Sequence, residues 1–181
     1  RNTYLEYQHT NHERGARMIN MFMNRLEEFH SVYGKEYALD LGCGVGASSV
    51  LLSNHFRFVI GVDPSLPDLI LAKKYILEND IQNVFLAQAY AQRLPLSTSY
   101  FDLVVAQNVI EHLFDVETAL KEVRRVMNNQ GAFCGDSRNR YDLFFEEPHA
   151  KLRWVGFFPR KLQPNYVRLF RNVPYDSAHL L

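Results

Sequence analysis

A chain of 181 residues, 47% hydrophobic and 22% charged, is long enough and apolar enough for one packed domain, which sets aside disordered and fibrous classes. Its 20 Lys and Arg balance 20 Asp and Glu. No apolar run approaches the ~18–20 residues of a membrane-spanning helix. The amino end carries no signal-peptide pattern, and Cys43 and Cys134 form no CxxC pair. These features lead us to expect a reduced, cytoplasmic protein without zinc.

The elements alternate. Residues 11–29 read as an amphipathic helix, with Met18, Ile19, Phe22, Leu26 and Phe29 on one stripe. Tyr37 to Leu41 reads as a strand, Ala47 to about Phe56 as a helix, and Phe58 to Val62 as a buried strand that ends at Asp63. Pro64 and Pro67 suit the start of a helix that reaches about Asn79. A third strand over 84–87, a loop through Leu94-Pro95-Leu96 and a fourth strand over 101–106 follow. Asp115 is placed to cap a helix bearing Val116, Ala119, Leu120, Val123 and Met127. Gly131 is expected to end that connection before a fifth strand over 132–135. Strands alternating with helices predict an α/β fold, a parallel doubly wound sheet covered on both faces. The segments expected are an N-terminal helical piece over 1–34, a ligand-binding core over 35–136 and a substrate-side piece over 137–181.

The run Asp40-Leu41-Gly42-Cys43-Gly44-Val45-Gly46 carries the most chemistry. A strand ending on an acid, followed by alternate glycines, makes a turn whose bare backbone a ligand can approach. Dinucleotides and S-adenosylmethionine both use such a turn. Asp63, 17 residues after Gly46, ends the second strand and can accept from both hydroxyls of an adenosine ribose. Standing alone before Pro64, it would be a turn residue. Asp40 argues against a dinucleotide, because its carboxylate would repel a pyrophosphate and welcome an α-amino group. No tyrosine has a lysine four residues on, so the acid–base pair of short-chain reductases is absent.

Asp40-Leu-Gly-Cys-Gly-Val-Gly46 resembles motif I of the class I S-adenosylmethionine-dependent methyltransferases. The series Gly61-Val-Asp63, Leu94-Pro95-Leu96, Tyr100-Phe-Asp102-Leu-Val-Val105 and Asn108-Val-Ile-Glu-His-Leu113 is similar to that family in order and spacing over 35–136. The resemblance implies a Rossmann-like sheet of order 3-2-1-4-5, S-adenosyl-L-methionine as cofactor and a methyltransferase activity. It also implies that Gly42 and Gly44 lie against the methionine portion, with Asp40 orienting it, and that Cys43 is among the cofactor-binding residues. Asp63 would hold the ribose and Pro64 would pack beside the adenine; Gln107, just past strand four, joins this set. Many relatives carry Asp-Ala before the Leu-Pro dipeptide, whereas Tyr90 stands at that Asp position here. Ala91 can still donate its N–H to the ring, and the Gln92 oxygen can accept from the exocyclic amine.

A small-molecule, glycan or lipid-linked acceptor is expected, with O-methylation favoured and His112 or His149 as general base. Each histidine has a plain alternative, a loop cap for His112 and ordinary loop structure for His149. Glu111 reads as a partner of the site or a surface residue. The tract 140–160, with Glu147-Pro148-His149 and Gly156-Phe157-Phe158-Pro159-Arg160, is similar to a subgroup that methylates glycans and other small molecules. His9 and His12 lack a carboxylate or cysteine at metal-ligand spacing, so no metal is expected.

Charge is uneven. Residues 1–136 hold 12 Lys and Arg against 16 Asp and Glu, whereas 137–181 hold 8 against 4. That basic tail is the one feature that suits a nucleic-acid substrate, the alternative reading. A non-catalytic S-adenosylmethionine-binding module is the other. Only 45 proline-broken residues follow Asp136, too few in this reading for the antiparallel strand pair that usually completes the sheet. Strand five is then expected to be an edge in a partial chain, or one covered by a partner or by 141–170.

Overall fold

The computed structural model describes residues 16, 17, 19–21, 23, 24, 35–136, 152–155, 158, 159 and 162–171. They fall into two compact units, one from residues up to Gln107 together with Asp115–Gly135, the other from Asn108–Phe114 with residues from Asp136 on.

The first unit is built on a five-stranded parallel sheet in the order β3-β2-β1-β4-β5, as the alternation and the resemblance predicted. The strands are β1 (Tyr37–Leu41), β2 (Phe58–Asp63), β3 (Val84–Gln88), β4 (Phe101–Ala106) and β5 (Met127–Gly135). Apart from Asp40 and Asp102, β1 and β4 are apolar without alternation because both faces are covered: Leu39, Leu103, Val104 and Val105 are all buried. β3 lies at an edge and shows it, with Phe85 half exposed.

Three helices connect the strands: α1 (Ala47–Leu52), α2 (Leu66–Glu78) and α3 (Val116–Val126). In α2, Pro67 sits in the first turn, where its missing N–H costs nothing, and Leu69, Ala72 and Ile76 form the buried stripe. Asp115 caps α3 as expected, accepting from the Thr118 amide at 3.0 Å and the Thr118 hydroxyl at 2.6 Å. The described residues between 16 and 24 are helical, and Ile19 and Met23 join the core formed with Val50, Leu52 and Phe56. The rest of the expected first helix lies outside the described residues.

The ends of α1 and α3 and the start of β5 differ from the sequence expectation. α1 stops at Leu52 rather than Phe56, because Asn83, far along the chain, donates its amide to the carbonyls of Ser53 at 2.9 Å and Phe56 at 3.1 Å. Those carbonyls are thereby satisfied outside a helix. β5 begins at Met127, directly after α3, and Gly131 lies inside it. A Cβ on Gly131 would fall 2.7 Å from the Phe101 carbonyl, so the glycine serves a close strand approach beside a register shift. Met127 is therefore a strand residue, and Leu120 is exposed, so the buried stripe of α3 narrows to Ala119, Val123 and Val126.

In the second unit, a 3-10 turn spans Ile110–His112 and a helix α4 spans Gln163–Arg171. Val155 and Val167 are buried against Leu152 and Tyr166, and Tyr166 stacks on Phe158 with ring centroids 4.5 Å apart. Among the described residues after Asp136 there is no further strand of the sheet, so β5 is the second edge of the sheet described.

Candidate functional site

Strand order reverses between β1 and β4, and the residues leaving these strands at their carboxyl ends form the crevice where α/β sheets bind ligands. The turn after β1 is held in place by β2. The amides of Gly42 and Cys43 donate to the Val62 carbonyl at 2.7 and 3.1 Å, and the Gly44 amide donates to Asp63 Oδ2 at 2.9 Å. Gly42, Gly44 and Gly46 all have positive φ, which an L side chain adopts only at a cost. A Cβ on Gly44 would meet nothing within 4 Å, so the backbone there faces open space. Gly46 has a different task. Its missing Cβ would sit 3.0 Å from the Ala72 side chain, so the glycine lets α2 close on the turn.

Two acids flank this turn. Asp63 is buried; its Oδ1 accepts from the Ser65 amide at 2.8 Å while Oδ2 holds Gly44. The turn role and a ligand role are compatible, since each carboxylate oxygen has a further lone pair. Asp40 is almost wholly buried and accepts the Ser49 hydroxyl at 2.6 Å. Burial pushes its carboxyl up to about 6, opposed by hydrogen bonds from Ser49 and reinforced by the charge of Asp63. The same burial, with both acids nearby, raises the Cys43 thiol, which stays protonated at neutral pH.

Gly61 makes the arrangement possible. It stands opposite Asp40 in the β1–β2 register, and a Cβ there would lie 2.8 Å from Ser49 Oγ and 3.0 Å from Cys43 Sγ. Ser48, the neighbour of Ser49, donates instead to Gln107 Oε1 at 2.6 Å and so ties the start of α1 to the end of β4. Neither serine was singled out by the sequence reading. Their signal was two hydroxyls in the helical turn that follows the glycines.

The loop after β3 is stapled to α3. Glu122 accepts from the Leu94 amide at 2.8 Å, and Arg125 donates to the carbonyls of Leu94 and Leu96 at 3.0 and 2.9 Å while pairing with Glu122. That bidentate pair lowers the Glu122 carboxyl and raises the Arg125 guanidinium. Above the staple, Ala91 is buried, Tyr90 is exposed and the Gln92 amide nitrogen approaches the Asp115 carbonyl at 3.5 Å. Pro64 is exposed beside Asp63.

The residues expected at the cofactor, Asp40, Gly42, Cys43, Gly44, Asp63, Pro64, Ala91, Gln92 and Gln107, thus all belong to the first unit. His112 belongs to the second and is exposed on the 3-10 turn. Its neighbour Glu111 is buried, with Oε2 lacking a hydrogen-bond partner among the described residues, which removes the surface reading for Glu111. His149, His9 and His12 lie outside the described residues. No described helix is long and apolar enough to cross a membrane.

A protein-family model described as a methyltransferase domain matches residues 39–135, just over half of the chain. The ubiquinone biosynthesis O-methyltransferase of Azorhizobium caulinodans is 31% identical over 121 residues, 65% of this chain and 47% of that protein. The demethylmenaquinone methyltransferase of Lactiplantibacillus plantarum is 29% identical over 148 residues, 80% of this chain and 60% of that protein. The crystal structure of the YcgJ protein from Bacillus subtilis superposes with a TM-score of 0.61 at 23% identity, covering 81% of this chain and 57% of that one. The chain thus spans about half to three fifths of the length of the relatives it matches. It belongs to the class I methyltransferase-domain family, whose Rossmann-like fold it shares, and S-adenosyl-L-methionine is the cofactor of that domain.

Proposed function

We propose that the protein is a methyltransferase that moves a methyl group from S-adenosyl-L-methionine to a small-molecule acceptor, with an oxygen as the favoured target. One observation carries the reading: open space over Gly44, flanked by two buried carboxylates that keep unused lone pairs. That arrangement suits a ligand with ribose hydroxyls at one end and an ammonium at the other. Asp63 accepts from the ribose, Asp40 faces the ammonium, and Gly42, Cys43 and Gly44 form the floor. Pro64, the Ala91 amide and the Gln92 oxygen serve the adenine.

When bound, the cofactor supplies an electrophilic methyl group on a sulfonium. The chain's own task is alignment and exclusion of water, which can be worth ~7–11 kcal/mol. A hydroxyl acceptor also needs a base, and we assign that to His112 or His149. The two relatives named for ubiquinone and demethylmenaquinone support a phenol or quinol acceptor. Glycan and lipid-linked acceptors of similar chemistry belong to the same class.

The test is incubation of the protein with methyl-labelled S-adenosylmethionine and separate panels of phenols and quinols, glycans, and RNA or DNA. Label in a small-molecule oxygen is the expected result. Label only in nucleic acid supports the alternative suited by the basic tail, and tight binding without transfer to any panel supports a non-catalytic module.

A further inference from the structure

The second unit carries a surface to which methyl transfer gives no task. Val155 and Val167 are buried against Leu152 and Tyr166, and the Tyr166 hydroxyl donates to the Arg153 carbonyl at 3.1 Å. Residues 152–155 are thereby fastened to α4. Out of this small core stand four large apolar side chains: Trp154 is 61% exposed, Leu162 49%, Leu169 77% and Phe170 59%. Leu162, the residue before α4, and Leu169 are two helical turns apart, so they share one side of the helix. Trp154 has a φ of 69°, a conformation that a bulky side chain adopts only at a cost, and its turn leaves the indole in solvent.

Charge is the second observation. From His149 to Tyr175 the sequence holds Lys151, Arg153, Arg160, Lys161, Arg168 and Arg171, and no Asp or Glu. Arg153 and Arg168 are exposed, and each directly precedes one of the protruding apolar residues, Trp154 and Leu169. Apolar groups interleaved with guanidinium groups match a surface that is anionic on top and hydrocarbon beneath. An indole suits the boundary between the two layers, and an arginine keeps its charged head at the phosphates while its neighbour goes deeper. A nucleic-acid strand would satisfy the cations equally well but would leave Leu162 and Leu169 idle, because bases stack on rings and not on aliphatic groups. With nine residues, α4 is far shorter than the ~20 of a spanning helix. Its geometry is that of a helix lying on a membrane.

We infer that this face of the second unit docks on the surface of an anionic lipid bilayer. Leu162, Leu169, Phe170 and Trp154 enter the headgroup boundary, and Arg153 and Arg168 take lipid phosphates. The docking needs neither cofactor nor methyl acceptor, so it stands or falls separately from methyl transfer.

Trp154 is the chain's single tryptophan, so its emission reports on this face alone. The intact protein is mixed with phosphatidylcholine vesicles, with and without about one-third phosphatidylglycerol, and bound protein is recovered by flotation. Flotation with the anionic vesicles is expected, together with a blue shift of Trp154 emission and its quenching by lipids brominated on the acyl chain. Neutral vesicles should give little of either. Leu169→Ser should weaken partition by about ten-fold and Arg168→Gln by roughly five-fold. Both side chains are exposed, so both variants should melt like the parent. Equal partition onto neutral and anionic vesicles would overturn the inference, as would flotation without a Trp154 response or an unchanged partition in Leu169→Ser. A Trp154 shift induced by RNA or DNA and not by vesicles would assign the surface to nucleic acid, and no flotation at all would leave it to a protein partner; each overturns the membrane reading. If Leu169→Ser fails to fold, lipid quenching of Trp154 in the unaltered protein carries the test alone.

Discussion

The same strands have two unlike ends. At their amino ends, Tyr37, Phe58, Tyr100 and Phe101 pack ring on ring, with Tyr37 and Tyr100 centroids 4.3 Å apart. The acid there, Asp102, accepts three hydrogen bonds. Its Oδ2 accepts from the amides of Glu36 and Tyr37, each at 3.0 Å, and its Oδ1 accepts from Asn128 at 2.6 Å. At the carboxyl ends the acids are buried without being saturated, and the backbone beside them faces open space. A buried carboxylate that accepts three hydrogen bonds from its own chain fastens a structure, whereas Asp40 and Asp63, with one and two, keep more capacity for a ligand. The sheet concentrates its fastening at one end and leaves the other end under-satisfied.

Three substitutions sharpen that contrast. The largest effect is expected at Asp63. Asp63→Ala should weaken S-adenosylmethionine binding by about 3 kcal/mol or more, from two lost bonds to a charged acceptor, and should also lower the melting temperature because Gly44 and Ser65 lose their acceptor. Calorimetry and thermal melts report the two losses separately, and an unchanged cofactor affinity would leave Asp63 as a turn residue alone. Next comes Asp102→Ala at the opposite end. It should cost about 2–4 kcal/mol of stability by stranding the amide donors at the amino end of β1, yet alter cofactor affinity by less than two-fold. A large affinity change there would erase the division between the ends.

The smallest effect, and the most diagnostic, is expected at Asp40. Its carboxyl titrates near 6 in the folded protein against an ordinary value of 3.8. The folded state therefore holds that proton more tightly than the unfolded chain. The cost of burying the charge is absent below about pH 3.8 and complete above about pH 6, at most about 3 kcal/mol. Asp40→Asn should thus raise stability by about 1 kcal/mol at pH 7.5, and by nothing at pH 4, while weakening cofactor binding at pH 7.5. Urea unfolding at the two pH values checks the sign. An equal shift at both would trace the effect to packing.

Much of this was legible beforehand. Glycine spacing, the acids that end β1 and β2, and the alternation of strands and helices are local signals; the alternation predicted the parallel sheet, and the motifs carried the family resemblance that implied its order. What escaped depends on partners far apart in the chain. Asn83 stops α1 by bonding Ser53 and Phe56, and nothing near Leu52 announces it. Gly131 was read as a breaker because a glycine inside a strand and a glycine in a turn look alike in sequence; only the Phe101 carbonyl beside it decides. The Ser48–Gln107 bond joins residues 59 apart. His112 illustrates the other kind of difficulty. Its residue type suggested a base, but a role in catalysis depends on what stands across from it, and one chain's letters carry no distances.

Gly61 has a consequence for how this molecule can change over generations. Because a side chain there would press on Ser49, Leu86 and Cys43, any lineage that replaces Gly61 must also shrink or move those three, and with Ser49 the hydrogen bond to Asp40. Each single step away from the present combination is penalised even where the final combination would be sound. The four positions form an evolutionary ratchet: drift is free to rewrite the exposed faces of the sheet's helices, while this corner is able to change only by several substitutions at once.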